Sequence, residues 1–368
     1  MNIVSAYSSK QSVDAAVSDL KEQFLNLDVK LVVYYASSIY AADEVSQKMQ
    51  EAFPAATVFG CSTAGEIASG KMLKNSVAAM AFNAQAVGEV EIAVVENVQD
   101  PSGVEEAFAG FEKRFGESML ELSPKKYVGI VLVDGLSGAE EKLIDKIGDL
   151  TDVTFIGGSA GDDLKFAATH VYANGKSYQN AAVLALLKPA VEFSFIKTQS
   201  FNILPNKLVV TKADEERREV LEFDGKPAAE AYAEALGVSV GEAAERFMHN
   251  PVGLVIDDEP YVRSPQQIKD NGMFFYCSVV EGMELSILES TNIIEDTRKA
   301  LVEARKKLGS ISGIMNFNCI LRTLELEQKQ ATDQYGALFA GIPTVGFSTY
   351  GEQYIGHINQ TATMLVFK

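Results

Sequence analysis

Val58-Phe59-Gly60-Cys61-Ser62-Thr63-Ala64-Gly65-Glu66-Ile67 carries a seven-residue frame, Gly-x-Ser-Thr-x-Gly-Glu, that returns near the end of the chain as Gly346-Phe347-Ser348-Thr349-Tyr350-Gly351-Glu352. A degenerate copy lies between them, Phe155-Ile156-Gly157-Gly158-Ser159-Ala160-Gly161-Asp162-Asp163. Each copy begins where an apolar run ends, sets a hydroxyl between glycines and places a carboxylate just beyond. One copy reads as an ordinary turn, in which glycine permits the bend and serine caps it. Three copies with an acid at the end point further, because loops at strand ends are where α/β proteins bind ligands.

The surroundings of the three copies repeat as well. Before the first come a helical spacing over 12–27, the continuous apolar run 31–36, a helical segment over 42–53 ended by Pro54, and a strand over 56–59; the strand 76–82 follows it. Around the second lie a strand over 127–133, a short helix over 140–147, a strand over 153–156 and a closing strand over 180–187. Around the third lie a strand over 313–319, a helix over 325–339, a strand over 344–347 and a closing strand over 359–367. Asn75, Asn180 and Asn359 each open the last strand. The period is too long for a solenoid. It predicts an α/β fold of repeated strand–helix–strand–Gly/Ser loop–strand units, forming mixed sheets flanked by helices. The stretch 193–289 departs from this pattern, with helix candidates at 224–236 and 240–248, and Lys188-Pro189 interrupts the preceding apolar run. Two domains are expected, 1–190 and 191–368.

Composition narrows the function. A net charge of −18 excludes a nucleic-acid partner, which needs a basic face. No apolar run reaches the length of a membrane-spanning helix, and the first residues lack the pattern of a signal peptide. Three cysteines, Cys61, Cys277 and Cys319, are odd in number and far apart, which fits a reducing compartment. A cytoplasmic protein is expected.

Several motifs lead elsewhere. Gly157-Gly158-Ser159-Ala160-Gly161 matches the nucleophile elbow of serine hydrolases, but the elbow needs a helix next, and 162–173 reads as loop and strand. Gly65 to Met72 misses a phosphate-binding loop at its last position, where Met72 cannot ligate magnesium, and it precedes a strand. The cysteines lack zinc spacing. Cys319 reads as core, and Cys61 stands where backbone amides could lower its pKa. Of the histidines His170, His249 and His357, His249 stands at a helix end and His357 beside the third loop. Either is a metal ligand only if a haem is bound. Nothing in the spacing demands a cofactor, and no catalytic residue is assigned.

Taken together, Phe59 to Glu66, Gly157 to Asp162, Tyr261-Val262-Arg263-Ser264-Pro265, Glu281-Gly282-Met283-Glu284-Leu285, Phe317-Asn318-Cys319-Ile320-Leu321-Arg322, Gly346 to Glu352 and Asn359-Gln360-Thr361 resemble the FIST domain proteins of bacterial signal transduction, with paired FIST N and FIST C modules. The resemblance covers nearly the whole chain. It implies a cytoplasmic sensory protein, not an enzyme, that binds a small ligand such as an amino acid. Some stand-alone members resemble haem-based nitric oxide sensors that regulate a histidine kinase. No kinase, cyclase or methyl-accepting region is read here, so the output is expected to pass through a partner. The family's Cys-x-x-Arg matches Cys319 and Arg322, and the aromatic before its Gly-Glu pair matches Tyr350. Arg322 leaves a buried-looking strand, where its fixed fork could hold a carboxylate. The expected ligand-binding set is Ser62, Thr63, Glu66, Ser159, Arg263, Cys319, Arg322, Ser348, Tyr350 and Glu352, with the first and third loops facing a common cleft.

Overall fold

Runs of small and branched apolar residues dictate strands that are buried on both faces, and in Leu31–Ser37 every residue is buried. The computed structural model describes residues 1–100 and 102–368. The three repeats are present, each longer than its sequence pattern suggests. The first runs β1 (Ile3–Ser8), α1 (Val13–Gln23), β2 (Leu31–Ser37), α2 (Ala42–Ala52), β3 (Thr57–Thr63), a hairpin of β4 (Glu66–Ala68) and β5 (Lys71–Leu73), then β6 (Val77–Phe82). The second has the same order: β7 (Val87–Glu96), α3 (Gly103–Phe115), β8 (Val128–Val133), α4 (Glu140–Leu150), β9 (Phe155–Ser159), the hairpin β10 (Val171–Ala173) and β11 (Lys176–Tyr178), then β12 (Ala181–Pro189).

The third repeat opens with β13 (Phe193–Gln199) and is then interrupted. The insertion holds β14 (Phe201–Asp214), β15 (Glu219–Phe223), β16 (Lys226–Pro227), α5 (Ala228–Leu236), α6 (Val240–Ala243), β17 (Val252–Ile256), β18 (Glu259–Arg263), β19 (Pro265–Lys269), β20 (Gly272–Phe275) and β21 (Glu284–Ser290). The repeat resumes with α7 (Ile293–Leu308), β22 (Gly313–Cys319), α8 (Ile320–Gln328), α9 (Thr332–Ala337), β23 (Thr344–Thr349), the hairpin β24 (Glu352–Tyr354) and β25 (His357–Ile358), and β26 (Thr361–Phe367).

Each repeat builds the body of one sheet, and the three orders correspond: β1-β6-β2-β3, β7-β12-β8-β9 and β13-β26-β22-β23. Each sheet is completed by a hairpin from a different repeat. β10 and β11 of the second repeat extend the first sheet, β24 and β25 of the third extend the second, and β4 and β5 of the first extend the third. The hairpins are thus exchanged in a closed cycle. A shared core of Val33, Phe59, Ile130, Phe317, Phe347 and Leu365 draws on all three repeats. Alternate residues of the same strands pack outward under the helices, as Val32 and Tyr34 do beside Val17 and Val45, and Val131 and Val133 beside Phe111 and Leu143.

The first glycine of each loop is fixed by the parallel pairs β2–β3, β8–β9 and β22–β23, which set Gly60 opposite Tyr34, Gly157 opposite Val131 and Gly346 opposite Asn316. A Cβ on these glycines would lie 1.8, 1.7 and 2.1 Å from the carbonyl oxygens of those three residues. No side chain fits there.

Two compact units result: 1–198, 297–357 and 362–368 form one, and 199–296 with 358–361 the other. The expected division at 190/191 follows the sequence pattern, whereas these units follow packing, because the third repeat completes the first unit. The second unit is a sheet of order β18-β17-β21-β14-β15-β20-β19 with β16 on β15, and α5 contributes Ala229 and Tyr232 to its core.

Other differences are local. The strands before the loops run through the serines to Thr63, Ser159 and Thr349, because the parallel pairing continues that far. The helix expected over 325–339 starts at Ile320 and breaks between α8 and α9, where Gln330 has a φ of 52°. The helix expected over 240–248 is a single turn at Val240–Ala243 followed by a 3-10 turn at Ala244–Arg246. As expected, no helix follows Gly157 to Gly161 or Gly65 to Met72; the latter is the hairpin β4–β5.

Candidate functional site

The three Gly-Ser loops close on one another through the backbone. Ala64 N–H donates to the Ser348 carbonyl at 3.3 Å, and Ser348 N–H donates to the Gly65 carbonyl at 2.8 Å. Tyr350 N–H donates to the Ser159 carbonyl at 3.1 Å, and Ser159 N–H donates to the Gly351 carbonyl at 2.8 Å. Gly161 N–H donates to the Ser62 carbonyl at 2.9 Å. Ser62 N–H departs from the pattern and donates to the His170 carbonyl at 2.8 Å, because the second loop is longer.

The serine side chains are buried and differ in their partners. Ser62 Oγ accepts from the His170 amide at 2.9 Å. Ser159 Oγ donates to Glu140 at 3.4 Å and accepts from Gln353 Nε2 at 3.1 Å. Ser348 Oγ lies 2.8 Å from Thr323 Oγ1. Beyond the first loop, the buried Glu66 carboxyl accepts from the Thr63 hydroxyl and from the amide and hydroxyl of Ser76. Burial pushes its pKa up to about 8, against the opposing pull of those hydrogen bonds. Glu352 is buried and pairs in register with Gly158. The Tyr350 hydroxyl donates to the Asp162 carboxylate and accepts from Leu164 N–H at 2.9 Å; burial, then that carboxylate, raises its pKa.

A cavity of about 300 Å³ opens where the first and third loops meet α8. Its wall includes Ala64, Gly65, Ser348, Thr323, Lys74 and Glu327. Lys74 Nζ and Glu327 Oε1 are 2.7 Å apart in that wall. A chain of hydrogen bonds leads away from it into the protein. Asn318 Nδ2 donates to Thr323 Oγ1 at 3.0 Å, Arg322 Nε donates to Asn318 Oδ1 at 3.0 Å, and Arg322 Nη2 donates to Thr297 Oγ1 at 3.1 Å. Tyr335 Oη also donates to Asn318 Oδ1, at 3.1 Å. Arg322 is 2% exposed, and its Nη1 has no hydrogen-bond partner among the described residues.

Of the expected set, Ser348 lines this cavity. Ser62, Thr63, Glu66, Ser159, Tyr350 and Glu352 lie in the interlocked loops, and Arg322 lies behind the cavity wall. Cys319 is buried at the N-cap of α8. Arg263 ends β18 in the second unit, where its Nη1 donates to the Val262 carbonyl at 3.4 Å. Lys74, Asn318, Thr323 and Glu327 escaped the sequence reading. Asn316 and Asn318 were the signal available, since amides in an otherwise apolar buried strand demand partners.

Two expectations need correction or testing against this geometry. The Cys61 thiol is not activated: burial pushes its pKa well up. A haem iron needs an open approach to an imidazole nitrogen. His357 is 6% exposed, its Nε2 is enclosed by protein, and its ring is wedged against Gly351, where a Cβ would lie 2.2 Å from Cε1. His249 sits in the second unit with Nδ1 3.3 Å from Ser290 Oγ. Cavities of about 410, 300 and 180 Å³ among the described residues have no histidine in their walls. The residues around His357 do not fit a haem. Among the described residues there is also no group of His, Cys, Asp and Glu placed to hold a metal ion, and no helix long and apolar enough to cross a membrane.

The model of the FIST N domain matches residues 30–226, and that of the FIST C domain matches residues 228–355. The chain belongs to the FIST family. FIST domains are sensory, ligand-binding domains of signal transduction. The FIST N match takes in most of the first two repeats and ends inside the insertion, so the FIST boundary at 226/228 falls within the second compact unit. An uncharacterized protein of Methanocaldococcus jannaschii is 22% identical over 300 residues, covering 75% of this FIST chain and 57% of that protein. The chain therefore matches over little more than half the length of that curated relative.

Proposed function

We propose that this FIST protein senses a small polar ligand, of the size and charge pattern of an amino acid, in the cavity between the first and third Gly-Ser loops, and passes the signal to a partner protein. The observation that carries the reading is the wall of that cavity, which sets the opposite charges of Lys74 and Glu327 beside the hydroxyls of Ser348 and Thr323. A ligand carboxylate would take the place of Glu327 on Lys74, and a ligand ammonium the place of Lys74 on Glu327. The two hydroxyls fix orientation, and at about 300 Å³ the space suits a small molecule. Arg322 acts behind the wall: it holds Asn318, which holds Thr323. The hydroxyls of Ser62, Ser159 and Tyr350 bridge neighbouring repeats, whereas Glu66 braces its own. Haem has no part in this reading. A histidine kinase is the partner class that the family resemblance suggests.

Calorimetric titration with amino acids and with small carboxylates tests this directly. Saturable binding is expected for a subset of amino acids, weakened about tenfold or more by Lys74→Ala and by Glu327→Gln, the loss of one charged hydrogen bond. Binding left unchanged by both variants would place the ligand elsewhere.

A further inference from the structure

The cyclic exchange of hairpins makes each hairpin tip a test of the other two. The tip of β4–β5 seats on its host repeat: a Cβ on Gly336 of α9 would lie 2.8 Å from Lys71 Cα, and one on Gly70 would lie 3.7 Å from Ala340. The tip of β10–β11 seats likewise on α2, where a Cβ on Gly175 would lie 3.2 Å from Gln50 Cβ, and Ser46 Oγ donates to the Lys176 carbonyl at 2.8 Å. The third tip, Ile355-Gly356, does not seat on the corresponding helix α4. Neither Gly356 nor Gly148 of α4 has any atom within 4 Å of the place a Cβ would occupy. Beside Gly148 and Ile355 is a cavity of about 180 Å³, walled by the apolar Ile144, Ile147, Val153 and Phe155 and by the polar Thr151, Asp152 and Thr154.

Ile355 itself is out of the ordinary. It is 78% exposed and has a φ of 58°, a left-handed conformation that a β-branched residue adopts only under strain. A strained, exposed isoleucine thus stands at the rim of an apolar hollow, at the one hairpin tip of the three that is left unfilled.

We propose that this hollow is a binding site for a small neutral apolar molecule, a single aromatic ring or a short branched alkyl group. Size sets the class, since cavities of about 150 Å³ lined by Leu, Ile and Phe take up benzene. Charge sets it too: Asp152, the one charged residue in the lining, is exposed to solvent and would repel an anion, and the apolar side chains offer an ionic group no other counter-charge. The ligand would do for the third hairpin what Gln50 and Gly336 do for the others. The third hairpin also carries Gln353, which holds Ser159 of the second loop, so filling the hollow would stiffen the ring of loops from a place distinct from the polar cavity.

The test uses the full chain with indole and 1-hexanol as probes, followed by ligand-observed NMR and calorimetry. Saturable binding of at least one probe is expected, together with a rise in melting temperature. Gly148→Leu, which places a side chain in the hollow, is expected to weaken that binding tenfold or more while the fold is kept; Gly148→Ala controls for the change in helix propensity. Absence of saturable binding to the native chain, or binding indifferent to Gly148→Leu, overturns the proposal. Sedimentation velocity supplies the other arm. If the native chain self-associates and Gly148→Leu alone makes it monomeric, the occupant is a second copy of the chain and the small-molecule site is refuted.

Discussion

The Tyr350 amide donates to the Ser159 carbonyl at 3.1 Å, and the same bond recurs from Ala64 to Ser348 and from Gly161 to Ser62. In each case the residue two beyond the serine of one loop binds the serine of the next, so the three loops form a ring with no free end. Because the hairpins that follow are exchanged in the same cycle, no repeat can complete its sheet alone. Disturbing one loop is therefore expected to be felt in all three.

The first glycines give the clearest case. Gly157 faces the Val131 carbonyl so closely that an added Cβ would lie 1.7 Å from the oxygen. That atom belongs to the main chain of a buried strand and cannot swing aside. Gly157→Ala is expected to cost about 3 kcal/mol or more, the upper end of overpacking penalties. Gly110→Ala, in α3 with open space around it, is expected to gain roughly 0.5–1 kcal/mol from helix propensity. Urea denaturation compares them, and a Gly157→Ala protein of native stability would refute the steric account.

Glu66 predicts a pH dependence. Its carboxyl titrates at about 8 in the folded chain against 4.5 ordinarily, chiefly because of burial. Between those values the folded chain keeps a proton that the unfolded chain has released. The group's contribution to stability is therefore full below about pH 4.5 and is lost as pH rises through about 8. Glu66→Gln cannot ionise, so it is expected to flatten this decline and to exceed the native protein in stability at about pH 9. Denaturation curves across that range decide it; parallel profiles for the two proteins would contradict the assignment.

Tyr350 pins the second loop. Its hydroxyl accepts from the amides of Asp162 and Leu164 and donates to the Asp162 carboxylate, while its ring stacks on Phe166 at 5.1 Å. Burial pushes the Asp162 carboxyl up, yet the Tyr350 hydroxyl and the amides of Ala167, Ala168 and Phe166 together hold it below its ordinary value. Tyr350→Phe keeps the stacking and removes the hydrogen bonds, so a loss of about 1–2 kcal/mol is expected. Amide exchange is expected to speed up over 162–168, and exchange there at the native rate would count against the latch.

How much of this was legible in the sequence can be judged residue by residue. The repeat was, because each Gly-x-Ser frame follows an apolar strand and precedes another, and both signals are local. The hairpins were not. Lys71–Leu73 and Lys176–Tyr178 are three-residue strands, too short to show a period, and their partners lie in another repeat. The asparagines noted at the start of each last strand turn out to mark a left-handed turn at Asn75 and Asn180, with φ of 54° and 46°, a conformation that asparagine tolerates. In the third repeat the turn falls on Gln360 rather than Asn359. Ser62 and Ser348 were read as equal site residues; one caps the His170 amide and the other lines a cavity. Only the longer second loop tells them apart, and its path depends on tertiary contacts. Arg322 was found, but its setting in a chain of neutral groups was not, because Thr297 and Tyr335 come from distant parts of the sequence.

That setting makes a prediction that separates stability from binding. Among the described residues the Arg322 guanidinium meets only neutral hydrogen-bond partners, Asn318 and Thr297, and it stands 6.0 Å from the Tyr335 ring centroid. A buried cation so placed is costly, so removing it relieves that cost while it forfeits the two hydrogen bonds to Asn318 and Thr297. Arg322→Met leaves Asn318 Oδ1 with its bond from Tyr335, so the ligand-free protein is expected to stay within about 1 kcal/mol of native stability. Ligand affinity is expected to fall about tenfold or more, because Asn318 would lose one of the two bonds that fix it behind Thr323, and a second positive charge behind the wall, beyond that of Lys74, would be gone. Denaturation without ligand and calorimetry with it measure the two effects on one variant. Full affinity in Arg322→Met would show that the arginine serves the fold alone, and a stability loss of several kcal/mol would show that the buried charge is compensated by a group other than those named.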